Sequence, residues 1–433
     1  MANEKDVMSA LLKVGTDTNK LAEELGIKDR QSREWKQSLR SKFGVDTNED
    51  LYKKVSEYFM SNADISEDKD PVDDEAEYSL DELKQKLIST EIDRERWKSK
   101  YNMDRKLYQS ILKQKSRTEE MKNIIEAIVT PIEFSEIPKI EYTDSTRSSL
   151  IEETAVLLLS DSHIGMLTDS YNSEKFILRL SLLVNRIKRI SNNILFKAYK
   201  IPKLVIIFLG DIVDGESMRE NHPFEICLGV MDQIFKVGVK YFTSAILELA
   251  KIFPEIDIHC VRGNHGRIGK RNQSPKETNW DTVFYETLKV MLSNYKNINF
   301  KISDKFYTNI KIYDHNILAV HGDQINMYRG IPWYGIETAA SKWAMSMDEY
   351  WDIIAMGHFH TCGVHGYNTK NIALNGCFPS DHEWALEELR LKSDPRQLFF
   401  GVHPEEEISW EYRISLDERK HKEDVKLLEG YGG

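Results

Sequence analysis

The chain has 433 residues, more than one domain normally holds, so we expect two or three structural units with ample length for a large core. Its net charge of -11 at pH 7 excludes a surface that is basic throughout, although a local basic groove remains compatible with that sum. The four cysteines form no Cys-x-x-Cys pair and no apolar run reaches signal or transmembrane length, so we expect a soluble cytoplasmic protein with reduced thiols and no membrane partner.

Residues 1–62 are predicted to form a small helical domain with a helix-turn-helix rhythm. Within it, residues 18–35 contain a capped helix, a turn at Gly26 and a second helix. The segment from this turn onward is basic and contains Lys28, Arg30, Arg33, Lys36, Arg40 and Lys42. Such side chains suit contacts to DNA phosphates, whereas a helical domain that binds protein or nothing needs the same apolar core. Both alternatives stay open at this point.

An acidic segment over residues 63–78 separates this domain from a long helical pattern. Its many carboxylates and few apolar residues predict a solvated linker, and mimicry of nucleic acid is the less favoured alternative. Residues 79–130 then carry apolar side chains at helical spacing, from a capping box of Ser79 and Glu82 to a stop at Pro131. The pattern predicts a long helix or a helical hairpin, whose apolar stripe could join copies of the chain into a homo-oligomer.

After a connector over residues 131–150, apolar strands and helical patterns alternate from 151 to 416, which predicts an α/β domain. The predicted helices cover residues 174–191, 224–252 and 280–295, and antiparallel strands are expected near 299–302, 308–313, 364–367 and 398–402. A charged tail over residues 417–433 ends in two glycines, and we expect it to fray.

Five apolar segments of the α/β domain each end in residues of the metal-ligand type. The central segment, residues 204–209, predicts a strand buried on both faces, and it ends in Gly210-Asp211. The other four motifs are Asp161-Ser162-His163, Asn264-His265, His321 and His358-Phe359-His360. Because the carboxyl ends of strands in such a sheet meet on one rim, we expect these residues to form one polar cluster.

The donor types in this cluster favour a pair of divalent ions. Carboxylates, an Asn carbonyl and imidazoles suit Mn²⁺, Fe²⁺ or Zn²⁺, and the absence of Cys disfavours a structural zinc site. The ligands are too many for one ion, so we expect two ions about 3.5 Å apart, Mn²⁺ in preference, that share a carboxylate and a hydroxide. Such a pair would polarise a phosphoryl oxygen and supply a nucleophile at neutral pH.

The order of the motifs, D-x-H, GD-x-x-D, GNH, H and GH-x-H, resembles the calcineurin-like metallophosphoesterase superfamily. The resemblance covers residues 151–416 and implies a four-layer α/β/β/α sandwich with a dinuclear site between two sheets. It also implies a set of ligands for each ion, namely Asp161, His163 and His360 for one and Asn264, His321 and His358 for the other. Asp211 would bridge the ions, and His265 would act on the transition state or the leaving oxygen.

The sequence departs from the superfamily pattern in two places. Gly266 stands where an acidic residue usually follows the GNH triplet, so Asp214 is the expected partner that orients His265. Gly215 stands where protein phosphatases of the superfamily typically carry an arginine, which counts against that branch.

The residues around the centre favour a nuclease similar to the DNA repair and recombination exonucleases of the superfamily, with DNA as the expected partner. Arg267, Lys270 and Arg271 form a basic loop suited to holding a phosphate backbone without reading bases. His222 lies in a loop without a partner at metal-ligand spacing, and we expect it to be incidental. The alternatives are a phosphomonoesterase or protein phosphatase recruited by the N-terminal helical region, and a scaffold with a decayed site, which the complete ligand set argues against.

Overall fold

The computed structural model describes residues 4–14, 18–27, 29–45, 47–62, 80–133, 150–219, 222–269, 278–326, 332–347, 350–380 and 394–430. The chain divides into two units, Met1–Trp97 and Lys98–Gly433. The predicted acidic linker and the capping residue Ser79 lie outside the described residues. Within the described parts of the chain, no helix combines the length and the apolar character that crossing a membrane requires.

The described residues of the N-terminal region form four helices, α1 (Glu4–Val14), α2 (Thr18–Leu25), α3 (Asp29–Phe43) and α4 (Asn48–Asn62). They bury a small apolar core that includes Val7, Leu11, Leu21, Leu39, Leu51 and Val55. Gly26 ends α2 with a φ of 61°, a left-handed conformation that glycine adopts without a Cβ clash. The predicted helical region is therefore confirmed, and its contact with DNA stays a prediction.

One of the basic side chains predicted to face DNA does not face solvent. Lys36 is only 5% exposed, so its assignment to a phosphate contact is wrong. It lies on the inner side of α3, whereas Arg33 and Lys42 on the same helix are exposed. The prediction of phosphate contacts from this helix therefore applies only to its exposed residues, and it stays a prediction.

A single helix α5 spans Leu80–Ile128, so the predicted helical pattern forms one helix and not a hairpin. Its last turns belong to the second unit, where Ile125 joins the main core and the Lys122 ammonium lies 3.0 Å from the Glu286 carboxylate. Earlier on the helix, Ile92 and Tyr101 are exposed. Self-association through this helix stays a prediction.

The described residues of the second unit form two β-sheets. The first has the strand order β11-β10-β1-β2-β3-β4, formed by β1 (Glu152–Leu159), β2 (Lys200–Phe208), β3 (Glu255–Cys260), β4 (Ile298–Ile302), β10 (Arg396–Val402) and β11 (Ile408–Ser415). The second has the order β5-β6-β7-β9-β8, formed by β5 (Tyr307–Ile312), β6 (His315–Val320), β7 (Ile353–Met356), β8 (Gly363–Tyr367) and β9 (Lys370–Leu374). The helices of this unit are α6 (Ser173–Ile190), α7 (Phe196–Ala198), α8 (Val230–Asp232), α9 (Val239–Ala250), α10 (Trp280–Met291) and α11 (Trp333–Ser346).

Strands β1 to β4 run parallel to one another, and β10 pairs antiparallel with β1. The expected antiparallel strands near 308–313, 364–367 and 398–402 are present as β5, β8 and β10. The prediction for 299–302 is wrong, because β4 lies parallel to β3. Helix α10 carries the chain from β3 back to the start of the sheet, and such a crossover returns a strand in the same direction.

Alternate residues of the central strands face opposite layers. In β2, Leu204, Ile206 and Phe208 pack towards helices α6, α9 and α10, whereas Val205 and Ile207 pack against the second sheet. The outer face of the second sheet packs against α11. Since each sheet has one helical layer outside it, the predicted four-layer α/β/β/α sandwich is confirmed.

The segment after β11 packs on α6. Asn185 Nδ2 donates a hydrogen bond to the Asp424 carbonyl at 3.0 Å, and the Leu428 N–H donates to Ser181 Oγ, also at 3.0 Å. The prediction of a frayed tail is therefore wrong for residues 417–430. Helix-surface side chains satisfy its backbone groups, a long-range pairing that the local charge pattern does not reveal.

The substitution Glu418→Gln is expected to lower the free energy of unfolding by about 3 kcal/mol. The Glu418 carboxylate accepts hydrogen bonds from Lys175 Nζ at 2.7 Å and from Arg179 Nε at 3.3 Å, and Arg179 is only 4% exposed. Loss of the carboxylate would leave a buried guanidinium without its counter-charge. Urea denaturation measures the change, with Lys420→Ala as the control because that side chain is 60% exposed. Equal unfolding midpoints for the two variants would contradict the docked tail.

Candidate metal centre

Polar motifs follow five strands of the two sheets at their carboxyl ends. In the first sheet, β1 leads to Asp161, β2 to Asp211 and β3 to Asn264. In the second sheet, β6 leads directly to His321 and β7 to His358. The polar cluster expected from the strand-end pattern therefore lies where the carboxyl ends of both sheets meet.

The backbone of this cluster adopts a conformation that side chains with a Cβ normally avoid. Seven non-glycine residues in the described parts of the chain have a positive φ, and five of them are the cluster residues Asp161, His163, Asp211, His358 and His360. Each such residue lowers the folding stability by about 1–3 kcal/mol, and it persists only because the surrounding structure holds it in place. The concentration of this strain at the strand ends indicates that side-chain placement, and not local stability, determines these conformations.

Asp161, His163 and His360 form the first group that could hold a metal ion. His360 Nε2 lies 3.3 Å from Asp161 Oδ1, and the Nε2 atoms of His163 and His360 lie 3.4 Å apart. On its other side, His163 Nδ1 lies 3.1 Å from Asp214 Oδ1, so Nδ1 carries the hydrogen and the Nε2 lone pair points into the group. A carboxylate and two ring nitrogens that converge in this way fit a divalent cation.

Asp211, His321 and His358 form the second group. His321 Nε2 lies 3.1 Å from Asp211 Oδ2 and 3.0 Å from Asn264 Oδ1. His321 Nδ1 donates its hydrogen to the Leu209 carbonyl at 2.6 Å, so in the neutral ring Nε2 carries only a lone pair. That lone pair would face two oxygen acceptors, an arrangement that requires a proton or a cation between them.

The electrostatics of the second group also favour a cation. Burial lowers the pKa of His321, but the negative charge of Asp211 and the hydrogen bond to it raise that pKa to about 10. The same negative field attracts a metal ion. Burial and the neighbouring His321 lower the pKa of His358 to about 3, so that His358 stays neutral as a metal ligand must.

The two groups adjoin each other. The His358 backbone N–H, in the second group, donates to the Asp161 carboxylate of the first group at 3.1 and 3.2 Å. Burial raises the pKa of Asp211, but the charges of His321 and His265 hold it well below its usual range. Asp211 is therefore an ionised carboxylate beside two groups of donors, and its role as a bridge between two ions stays a prediction.

Asp214 contacts three histidines. Its carboxylate lies 2.9 Å from His265 Nδ1, 3.1 Å from His163 Nδ1 and 2.9 Å from His222 Nε2. His163, Asp214 and His265 are close enough to form a third potential metal group. Hydrogen bonds satisfy that group, however, because each imidazole can direct an N–H to the carboxylate. The structure thus places Asp214 beside His265 as expected, and it adds a contact to His163 that the sequence did not predict.

His222 belongs to the centre, and the prediction that it is incidental is wrong. It is 1% exposed, and its Nδ1 accepts a hydrogen bond from the Met218 N–H at 3.4 Å while Nε2 faces Asp214. No spacing pattern indicates this role, because it depends on the tertiary contact between His222 Nε2 and the Asp214 carboxylate.

Of the predicted phosphate-binding residues, only Arg267 is described. Its Nη2 lies 2.9 Å from Met218 Sδ, and the same sulfur lies 3.7 Å from Asn264 Nδ2. Arg267 therefore lies at the rim of the cluster near Asn264. Lys270 and Arg271 lie outside the described residues, and their contact with phosphate stays a prediction.

Asp281, at the start of α10, is a second buried residue that contacts the centre and was not predicted. Its carboxylate accepts hydrogen bonds from the backbone N–H groups of Asp211 at 3.0 Å and Gly263 at 2.9 Å. Burial and the nearby charge of Asp211 raise the pKa of Asp281 to about 6. An acidic residue in the first turn of a helix is common, so its sequence position carries no signal of this role.

Comparison with known proteins identifies a family. The sequence model of a family described as calcineurin-like phosphoesterase matches residues 154–395, more than half of the chain. A search of curated proteins gives no match. Similar solved structures include Vps29 complexed with zinc from Entamoeba histolytica, at 12% identity over 60% of this chain and 99% of that chain, with a TM-score of 0.27. A hypothetical protein from Pyrococcus horikoshii is 12% identical over 63% of this chain and 94% of that chain, with a TM-score of 0.33. Because both TM-scores are low, the likeness to these structures says nothing about the activity of this chain.

Proposed function

The chain belongs to the calcineurin-like phosphoesterase family and is thus a metal-dependent phosphoesterase, and from this premise we propose that it is a phosphodiesterase that cleaves DNA. Two groups of metal-ligand side chains converge at the carboxyl ends of both sheets, and this convergence supports the proposal. Nucleic acid offers both a charged phosphate, which Arg267 would contact, and a base, which the exposed Phe224 ring would contact.

We assign the two donor groups to two divalent ions, with Mn²⁺ preferred over Fe²⁺ and Zn²⁺. The proposed ligands are Asp161, His163 and His360 for one ion and Asn264, His321 and His358 for the other, with Asp211 shared between them. When bound, the ions would polarise the phosphoryl group and lower the pKa of the attacking water.

His265 is the proposed proton donor to the leaving oxygen. Its Nδ1 lies 2.9 Å from the Asp214 carboxylate, which orients the imidazole and stabilises its protonated form. Burial lowers the pKa of His265, but the charges of Asp211 and Asp214 raise it above its ordinary value. The side chain remains 17% exposed, so the ring edge opposite Asp214 can face substrate. Arg267 at the rim would hold an adjacent phosphate.

An exposed aromatic ring supports nucleic acid as the substrate. Phe224 is 85% exposed and ends the short helical turn His222–Phe224, whose first residue contacts Asp214. The loop is held in place on its other side, because the Leu167 N–H donates to the Glu225 carbonyl at 3.2 Å. A solvent-facing ring on this anchored backbone, two residues from His222, offers a surface on which a nucleobase can stack.

The substitution Phe224→Ala is expected to lower kcat/KM on single-stranded DNA by about 5- to 100-fold, the effect of losing one stacked base. On an abasic strand of equal length, the same substitution is expected to leave kcat/KM unchanged, because the ring then has no base to contact. Initial rates of both enzymes on both strands form a double-mutant cycle. Phe235→Ala is the control, since Phe235 is also exposed but lies in the following helical segment. Additive losses would contradict base stacking.

The proposed function is tested on the full chain, stripped of metal with EDTA and reloaded with Mn²⁺. End-labelled single-stranded DNA, double-stranded DNA, RNA and a phosphopeptide are the substrates. We expect metal-dependent cleavage of DNA, and the labelled products then distinguish exonuclease from endonuclease action. Intact nucleic acids together with a dephosphorylated peptide would overturn the proposal in favour of a phosphatase.

A further inference from the structure

Asp281 hydrogen-bonds to two of the loops that carry proposed metal ligands. On the loop after β2, the N–H groups of Asp211 and Ile212 donate to its carboxylate at 3.0 and 3.1 Å. On the loop after β3, the Gly263 N–H, one residue before Asn264, donates at 2.9 Å. We propose that Asp281 is a positioning residue that sets the geometry, and hence the affinity, of the metal centre. The inference rests on the proposed metal centre, but not on the identity of the substrate.

Asp281 is not needed to cap its own helix. Asn279 caps α10, because its side-chain oxygen accepts the Asp281 N–H at 2.8 Å. Asn279 Nδ2 also donates to the Gly263 carbonyl at 2.8 Å. Both oxygens of the Asp281 carboxylate are thereby left for the ligand loops.

The hydrogen-bond pattern requires a carboxylate at this position. Oδ2 accepts from Asp211 and Gly263, and Oδ1 accepts from Ile212 and, at 3.4 Å, from Val213. An amide side chain has one oxygen, and its NH₂ group would face two N–H donors. The carboxylate is fully buried and lies near the charge of Asp211, an arrangement that is unfavourable unless those four donors stabilise it.

The loops after β2 and β3 approach each other so closely that no side chain can be added at their glycines. A Cβ at Gly263 would lie 2.1 Å from Asp211 Oδ1, and a Cβ at Gly210 would lie 2.3 Å from the Gly263 nitrogen. Nor can a side chain at Gly266 replace Asp281, because its Cβ would lie 2.3 Å from Asn279 Oδ1. The start of α10 fills that space, so the carboxylate that joins the loops comes from α10.

A displacement of these loops would move the proposed metal ligands themselves. The Asp211 carboxylate accepts the His265 N–H at 2.7 Å, and it faces His321 Nε2 at 3.1 Å. If the backbone at Asp211 moves, the distances between the proposed ligands change with it. Residues that orient metal ligands in this way typically contribute about 10- to 100-fold to metal affinity.

The test is Mn²⁺ binding by isothermal titration calorimetry to metal-free full-length protein. We expect Asp281→Asn to weaken Mn²⁺ binding by about 10- to 100-fold relative to the unsubstituted protein. Glu286→Gln is the matched control, since it removes a 7% exposed carboxylate from the same helix. Among the described residues, this carboxylate pairs with Lys122 and not with the loops that Asp281 joins. We expect it to bind Mn²⁺ with unchanged affinity. The melting temperature of each metal-free variant separates a loss of affinity from a loss of stability.

If Asp281→Asn does not fold, Asp281→Glu provides the second measurement, because it keeps the charge and lengthens the side chain by one methylene. We expect weaker Mn²⁺ binding from this variant as well, since the carboxylate is displaced against the loops. Wild-type affinity in either folded variant would overturn the positioning role and leave the metal centre intact. Absence of Mn²⁺ binding by the unsubstituted protein would overturn the proposed centre itself.

Discussion

Replacement of Asp211 by Asn is expected to abolish tight binding of divalent ions, and phosphoester hydrolysis is expected to be lost with it. Asp211 Oδ2 lies 3.1 Å from His321 Nε2, and its other oxygen is occupied by the His265 N–H. An amide would remove a negative charge from a site that is 2% exposed, where no solvent can compensate. The loss of metal affinity should exceed the roughly 10- to 100-fold effect of a residue that only orients a metal ligand.

Metal content measured by plasma mass spectrometry after dialysis decides this prediction. We expect two ions per chain in the unsubstituted protein and fewer than one in the Asp211→Asn variant. Asp257→Asn is the control, because Asp257 lies on β3 and pairs with Lys203 at the sheet surface, away from the motifs. Two ions retained at unchanged affinity in Asp211→Asn would remove Asp211 from the ligand set.

The strand-end motifs could be predicted because their signal is local. Each combines an apolar run with Asp, Asn or His within the next few residues, and the fold brings the ends of such runs together. The order of the motifs then identified the family and its sandwich, although the residues alone indicated only an α/β domain. The pairing direction of β4 was missed because it depends on the crossover through α10, which strand propensity does not encode.

His222 and Asp281 could not be predicted because both reach the centre through long-range packing. His222 lies eight residues beyond Asp214 in the sequence, and only the tertiary contact of its Nε2 with that carboxylate shows its role. Asp281 has the sequence context of an ordinary helix start, and its four hydrogen bonds come from loops that precede it by 18 to 70 residues. Neither role leaves a periodicity or a spacing in the sequence.

The backbone strain at the centre escapes local reasoning for a related reason. Asp161 and Asp211 have φ values of 51° and 52°, although glycine is the residue that favours this region. Each follows a buried strand whose packing fixes where the chain must turn. Local preferences are overridden at functional sites when the surrounding structure determines the conformation. The concentration of such residues at one rim therefore supports the proposed centre independently of the donor types.

The substitution His265→Ala is expected to lower kcat on DNA by about 10²- to 10⁴-fold, the usual contribution of a general acid, while both ions remain bound. Its Nδ1 is engaged by Asp214, and its backbone N–H donates to the Asp211 carboxylate, a contact that Ala preserves. The ring is therefore not needed by either proposed ligand group. Metal analysis that shows one ion lost from this variant would place His265 among the ligands.

The leaving group provides the sharper measurement. Cleavage of DNA expels a sugar alkoxide that needs a proton, whereas bis(p-nitrophenyl) phosphate expels a phenolate that is stable without one. Because a general acid matters most for the more basic leaving group, His265→Ala should impair DNA cleavage far more than hydrolysis of the nitrophenyl ester. His403→Ala, in a turn where the ring nitrogen Nδ1 accepts the N–H groups of Glu405 and Glu406, is the control and should alter neither rate. Equal losses on both substrates would show that His265 stabilises the phosphoryl group itself and does not donate the proton.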